Sequence, residues 1–153
     1  MDKSNTIRHG RHCVFNLHVH LVFVTKYRRK VFTDVLLREL KNSLTSVCTD
    51  FEAELVEFNG GIDHVHLLVT YPPKVSISEL VNSLKGVSSR MLRRFPSARR
   101  GYYKNVLWSP SYFAASCGGA PLAILKRYIQ NQAAPQPPFI SGLKAQSFLA
   151  GNG

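Results

Sequence analysis

The stretch Asp63–Val69 alternates between histidines and branched apolar residues, and this pattern constrains the fold more than any other feature of the chain. Residues two apart on a β-strand point to the same face of a sheet. We therefore expect His64 and His66 side by side on one face, with Val65 and Leu67 packed on the other. Neutral imidazole is a common ligand for divalent metals, so this strand is a candidate source of two metal ligands. The alternative is a chance pair on a solvated strand face.

A second alternating stretch, residues 13–25, is rich in β-forming side chains and predicts a long strand. It carries His18 and His20 on one face, which makes this pair a rival metal site. The favoured interpretation is that all four histidines line the same surface of one sheet.

The remaining elements follow from apolar spacing. Helical spacing predicts α-helices over 33–49 and 76–94, and a last helix from Ala120-Pro121 to Gln132. β-forming runs predict three further strands, at 52–58, 63–71 and 112–116. The order βαββαβ predicts an α+β, ferredoxin-like fold with an antiparallel sheet, helices on one face and a C-terminal helix added. Its first and third strands would be central neighbours.

The chain is expected to form one domain over 1–134, followed by a mostly irregular tail over 135–153 with a short helix around 141–149. Residues 1–12 are polar and basic and are expected to form a loose arm. No apolar run reaches the length of a membrane span and the N-terminus lacks a signal peptide's apolar core, so a cytoplasmic protein is expected. Three widely spaced cysteines argue against a disulfide framework.

Charge is the most informative part of the composition. Twenty Lys and Arg against nine Asp and Glu give a net charge of +11. Such an excess favours a polyanionic partner, with nucleic acid first and an anionic membrane surface second, although a generally basic protein is the simple alternative. The cations and interleaved aromatic residues that could contact nucleic acid are Lys26, Tyr27, Arg28, Arg29, Lys30, Lys85, Arg90, Arg93, Arg94 and Tyr112.

Tyr128 and Gln132 are four residues apart in the predicted last helix, so their side chains share one helix face. Taken alone, Tyr128 would be an ordinary tyrosine at the edge of a core. Together with His64-Val65-His66, however, the pair resembles the single-tyrosine HUH transposases, the TnpA-type enzymes of small insertion sequences that move as single-stranded DNA. Five stretches agree with that family in order and spacing across roughly residues 12–132: 24–30, 63–68, 82–89, 107–112 and 118–122.

The resemblance implies a chemistry. Tyr128 would attack a scissile DNA phosphate, giving a 5′-phosphotyrosine and a free 3′-hydroxyl. His64, His66 and Gln132 would bind Mg²⁺ or Mn²⁺. Asp63 would orient an imidazole, although strand alternation predicts that its side chain points to the opposite face. The sequence shows no obvious general base.

The resemblance also implies partners. These are single-stranded DNA hairpins at element ends, and a second copy of the chain in a homodimer, with active sites assembled either within one subunit or between two. Two alternatives remain open. One is a repeat-associated tyrosine transposase with the same chemistry, and the other is a non-enzymatic single-strand binder, which would carry stacked aromatics on its sheet face in place of paired histidines.

Overall fold

A computed structural model describes residues 7–116 and 122–131 of the chain. The described part begins with a short antiparallel pair, strands β1 (Arg8–His9) and β2 (Val14–Phe15). Four longer strands form the main sheet: β3 (His18–Val24), β4 (Glu54–Gly60), β5 (His64–Thr70) and β6 (Phe113–Ser116). They lie in the order β4-β5-β3-β6, and all neighbours are antiparallel.

The described residues include four α-helices: α1 (Asp34–Asp50), α2 (Ile77–Leu92), the single turn α3 (Pro96–Arg99) and α4 (Leu122–Asn131). The sequence β3-α1-β4-β5-α2-β6 confirms the predicted βαββαβ order. The first and third strands of that order, β3 and β5, are the central neighbours, as expected. No helix within 7–116 or 122–131 combines the length and apolar character needed to cross a bilayer.

Helices α1 and α2 cover one face of the sheet because each carries an apolar stripe at helical spacing. Leu36, Leu40 and Leu44 of α1 are almost fully buried against residues of β3 and β5. Both helices begin where the sequence predicts: the Thr33 hydroxyl accepts a hydrogen bond from Leu36 N, and the Ser76 hydroxyl accepts one from Glu79 N. The opposite face of the sheet receives α4, on which Tyr128 packs against β3 and β6.

The N-terminal segment departs from the prediction. The expected strand over 13–25 is interrupted between β2 and β3, and part of the expected loose arm is itself a strand, β1. Gly10 N donates to Cys13 O at 2.6 Å, which closes a turn that folds β1 back onto β2. The Arg8 guanidinium lies 5.1 Å above the Phe15 ring and donates to Glu52 O at 2.8 Å. These long-range contacts order the segment, and a local sequence pattern does not reveal them.

Strand β4 begins at Glu54, two residues later than predicted, because residues 52 and 53 belong to the turn that ends α1. Ala53 N donates to Cys48 O at 2.8 Å, and Glu52 adopts a left-handed conformation with φ of 58°. Helix α2 likewise ends at Leu92, short of the predicted 94, and α3 was not predicted. The tail 135–153, Cys117 and Gln132 lie outside the described residues.

Two glycines give opposite expectations for stability. A Cβ at Gly101 would meet the buried Val31 side chain, whose nearest atoms all lie within 3.1 Å of that position. Gly101→Ala should therefore lower the free energy of unfolding by about 1–3 kcal/mol. Gly86 lies inside α2, where the nearest atom to an added Cβ is Arg90 Nη1 at 3.4 Å. Gly86→Ala, the matched control, should raise the free energy of unfolding by about 0.5–1 kcal/mol. Urea denaturation of both variants measures this, and equal signs would contradict the packing described here.

Candidate active site

His64 and His66 project from the face of β5 that α1 and α2 leave uncovered. Their ring centroids are 5.2 Å apart and the rings are nearly perpendicular, at 83°. Both are half-buried, whereas Val65 and Leu67 between and after them are buried in the core below. The structure thus brings the two predicted imidazoles together on one face, with their backbone held in the centre of the sheet.

The second histidine pair lies on the same face of β3. His18 is opposite Thr70 and His20 is opposite Leu68, so both lie toward the far end of β5 from His64. His18 is buried, and its Nε2 atom makes no hydrogen bond. Within residues 7–116 and 122–131, no three His, Cys, Asp or Glu side chains converge to hold a metal ion. The predicted third ligand of the proposed metal, Gln132, lies outside the described residues.

Asp63 orients His64 through a direct contact. Its Oδ1 atom lies 2.8 Å from Nδ1 of His64, and its Oδ2 atom accepts a hydrogen bond from Arg28 Nε at 2.8 Å. The expectation that this side chain points to the opposite strand face was wrong. Strand β5 begins only at His64, so Asp63 is not bound by the alternation of the strand. Since Nδ1 of His64 faces the carboxylate, Nε2 on the other side of the ring is the atom left to face a metal.

Arg28 reaches Asp63 because the backbone turns sharply after β3. Residues Lys26–Arg28 form a single 3-10 turn in which Tyr27 and Arg28 both have left-handed φ values, 58° and 51°. The resulting ion pair is largely sheltered, since the Asp63 carboxylate is buried. The sequence predicts only DNA contacts for Arg28, because a run of basic residues does not indicate an ion pair with Asp63.

Gly61 leaves room for the His64 ring because it has no Cβ atom. A Cβ there would lie 2.6 Å from Cε1 of His64. The side-chain hydrogen at this position therefore lets the imidazole lie against the backbone of the turn between β4 and β5. Burial lowers the pKa of the neighbouring His66, and the nearby His64 and His20 lower it further. The lowered pKa favours the neutral form of His66, which is the form that binds metals.

Tyr128 lies on the same sheet face, one strand away from the histidines. Its buried ring packs with Val22, Val24 and Phe113. In the β3–β5 ladder Val24 is directly opposite His64 and Val22 is directly opposite His66. The tyrosine therefore covers the two valines that flank the imidazole pair. Burial raises the pKa of Tyr128 to about 12, and a 3.3 Å contact between its hydroxyl and Ser111 Oγ opposes that rise.

The other residues predicted to contact DNA lie in three different settings. Lys26 and Arg29 lie beside an edge-to-face pair of rings, Tyr27 and Tyr103, whose centroids are 5.0 Å apart. Lys85, by contrast, points inward and donates to backbone carbonyl groups of the loop before β6. The remaining predicted DNA-contacting residues are exposed or half-exposed on the surface: Lys30, Arg90, Arg93, Arg94 and Tyr112.

Comparison with known proteins identifies the family of the chain. A family model described as "Transposase IS200 like" matches residues 13–132. The ISDra2 transposase TnpA of Deinococcus radiodurans is 31% identical over 127 residues, which cover 82% of this chain and 91% of the relative. The transposase for insertion sequence element IS200 of Salmonella typhimurium is 32% identical over 133 residues, covering 86% and 85%. The chain belongs to the IS200-like transposase family.

Solved structures agree on the fold of this IS200-like transposase. A crystal structure of a candidate transposase from Deinococcus radiodurans has a TM-score of 0.74 at 34% identity, and the match covers 84% of this chain and 99% of that one. A tyrosine transposase bound to a REP hairpin has a TM-score of 0.50 at 15% identity, covering 80% and 67%. The second likeness concerns the fold alone. Family membership makes DNA transposition the activity of the chain.

The raised pKa of Tyr128 makes the stability of the transposase depend on alkaline pH. The pKa is about 12 in the folded protein against 10.0 for a free tyrosine. The stabilising contribution is therefore fully present below about pH 10 and is lost as the pH rises toward 12. Relative to Tyr128→Phe, the wild type should lose on the order of 2–3 kcal/mol of unfolding free energy across that range. Urea denaturation at a series of pH values tests this, and parallel curves for the two proteins would contradict it.

Proposed function

We propose that this IS200-like transposase cleaves and rejoins single-stranded DNA at insertion-sequence ends, using Tyr128 as the nucleophile. The observation that carries the proposal is the packing of Tyr128 on Val22 and Val24, the two residues opposite His66 and His64. A phenol and two imidazoles on one sheet face can act on the same phosphate. A tyrosine buried on the opposite face of the sheet, among α1 and α2, could not reach the phosphate that the imidazoles act on.

The reaction exchanges one phosphodiester for another. The Tyr128 oxygen attacks the scissile phosphorus as its proton departs, and the bond from phosphorus to the 3′-oxygen breaks. The 3′-oxygen leaves as a hydroxyl after taking up a proton, and the 5′-phosphate stays bonded to the tyrosine. A 3′-hydroxyl from another strand then attacks that phosphotyrosine, which restores the phenol. Because the covalent intermediate keeps the bond energy, rejoining needs no nucleoside triphosphate.

His64 and His66 are proposed to hold Mg²⁺ or Mn²⁺, with Gln132 as a third ligand through its amide oxygen. Two features support such a site: the two imidazoles lie side by side on one face, and Asp63 contacts Nδ1 of His64 and orients its ring. A divalent ion bound there would polarise the scissile phosphate and stabilise charge on the leaving oxygen. In this proposal the chain's own residues supply the nucleophile, its packing and the orientation of the His64 imidazole.

Hairpin-bearing single strands are the proposed substrate. The net charge of +11 favours a polyanion, and the ring pair Tyr27–Tyr103 with nearby cations suits unpaired bases and their phosphates. The curated relatives are insertion-sequence transposases, which supports element ends over chromosomal repeats. We further propose a homodimer. Its active sites are assembled either within one subunit or between two.

The covalent step gives a direct test. Tyr128→Phe removes one oxygen and keeps the ring packed on Phe113, whose centroid is 6.0 Å away. Folding and hairpin binding should survive, while the DNA–protein adduct disappears. Mass spectrometry of the wild-type adduct should place the nucleotide on the peptide containing Tyr128. Gln132→Ala should slow cleavage without abolishing it, because water can replace a neutral amide ligand. An adduct that persists in Tyr128→Phe, or one found on Tyr112, would refute the assignment.

The metal role is tested by comparing the two histidine pairs. His64→Ala or His66→Ala should abolish Mn²⁺ binding in calorimetry and abolish cleavage, yet leave hairpin affinity nearly intact, since phosphate contacts elsewhere supply it. Chelation by EDTA should have the same effect on the wild type. His18→Ala serves as the control from the rival pair, with its melting temperature measured because His18 is buried. Loss of Mn²⁺ binding in His18→Ala but not in His64→Ala would show that the metal binds to His18 and His20 and not to His64 and His66.

A further inference from the structure

The ammonium group of Lys85 is directed into the protein and not outward toward a DNA phosphate. Its Nζ atom donates to Ser109 O at 2.6 Å and to Ser111 O at 3.2 Å. The ammonium group also lies 5.8 Å from the centre of the Phe23 ring and 5.9 Å from that of Tyr112. Burial lowers the pKa of Lys85 to about 8. The charge is thus directed into the protein, at the loop before β6.

The same loop, residues 107–111, is held from two other directions. On the sheet side, Ser109 N donates to Val24 O at 2.7 Å and Lys26 N donates to Leu107 O at 2.8 Å. On the helix side, Trp108 Nε1 donates to Ser88 Oγ of α2 at 3.1 Å. Together with Lys85, these contacts fix the loop between β3 and α2.

Ser111 is the residue at the end of this loop that reaches the proposed nucleophile. Its Oγ atom lies 3.3 Å from the Tyr128 hydroxyl. The packing of the ring on Val22, Val24 and Phe113 fixes where the phenolic oxygen lies, but it does not fix the direction of the O–H bond. A hydrogen bond between the two hydroxyl groups, in which either can donate, restrains that remaining rotation and with it the direction of the oxygen lone pairs.

We infer that Ser111 is a positioning residue for the Tyr128 hydroxyl and that Lys85 acts through the Ser111 backbone. The inference rests on the proposed nucleophilic role of Tyr128. It assigns Lys85 to the alignment of the nucleophile instead of to the binding of DNA phosphates. The two residues should then form one unit, because removing either one disturbs the same contact between Ser111 and the Tyr128 hydroxyl.

The experiment separates positioning from phosphate contact. The variants are Ser111→Ala, the conservative Ser111→Thr, Lys85→Met and the double variant Ser111→Ala/Lys85→Met. Arg90→Met provides an exposed cation on the same helix, and Lys41→Met provides an exposed cation on α1. For each protein we would measure single-turnover adduct formation on saturating hairpin DNA, and the affinity for that DNA across a series of salt concentrations.

Ser111→Ala and Lys85→Met should each slow adduct formation by about tenfold to a hundredfold, with DNA affinity and its salt dependence unchanged. Ser111→Thr should restore most of the rate, since it keeps the hydroxyl. The double variant should be no slower than the slower single variant, because both changes disrupt one contact. Arg90→Met should show the converse, a weaker affinity with a shallower salt slope. Lys41→Met should match the wild type.

A readout that does not depend on cleavage keeps this inference distinct from the proposed function. With 3-fluorotyrosine incorporated at position 128, the fluorine NMR signal should shift in Ser111→Ala and in Lys85→Met, but not in Lys41→Met. A wild-type rate and an unshifted signal in Ser111→Ala would overturn the inference while leaving the role of Tyr128 intact. A reduced salt slope in Lys85→Met, or additive losses in the double variant, would overturn the part assigned to Lys85. Absence of any adduct in the wild type would overturn both the inference and the proposed function.

Discussion

The register between β3 and β5 is the constraint on which the whole site depends. It sets Val24 opposite His64 and Val22 opposite His66, so one ladder determines both the imidazole pair and the surface on which Tyr128 packs. Because side chains alternate along a strand, a slip of one residue would turn both histidines into the apolar core. The leucines and valines on the lower face exclude that alternative, and the core formed with α1 and α2 therefore fixes the site from below.

Much of this could be predicted from the sequence, because its strongest signals are periodic. Alternation around His64 and His66 fixed their common face, and helical spacing placed α1, α2 and α4 within a few residues of their observed limits. The contact of Asp63 with Arg28, and the contacts of Ser111 and Lys85, could not be predicted. Each joins segments distant along the chain, such as Arg28 and Asp63, which are 35 residues apart, and no local pattern encodes which cation meets which carboxylate or carbonyl.

The basic composition illustrates the same limit. An excess of Lys and Arg indicates a polyanionic partner for the chain as a whole. It does not say which cations are directed outward. Arg28 and Lys85 are both used inside the protein, by the Asp63 carboxylate and by the carbonyl groups before β6. Exposed cations such as Arg29 and Arg90 remain on the surface, where a phosphate can approach. Structure is needed to separate cations that position the site from cations that meet DNA.

Burial favours the neutral form of both groups of the site, the phenol of Tyr128 and the imidazole of His66. It raises the pKa of Tyr128 and lowers that of His66. For the histidine, the neutral form is the one that ligates a metal. The neutral phenol of Tyr128 is a weak nucleophile. Asp63 is already engaged by Arg28 and His64, which leaves it poorly suited to accept the phenol proton. In the proposed mechanism, the positive charge that activates Tyr128 would be supplied by the proposed divalent ion, and the nucleophile would stay unreactive until that ion and the DNA are bound.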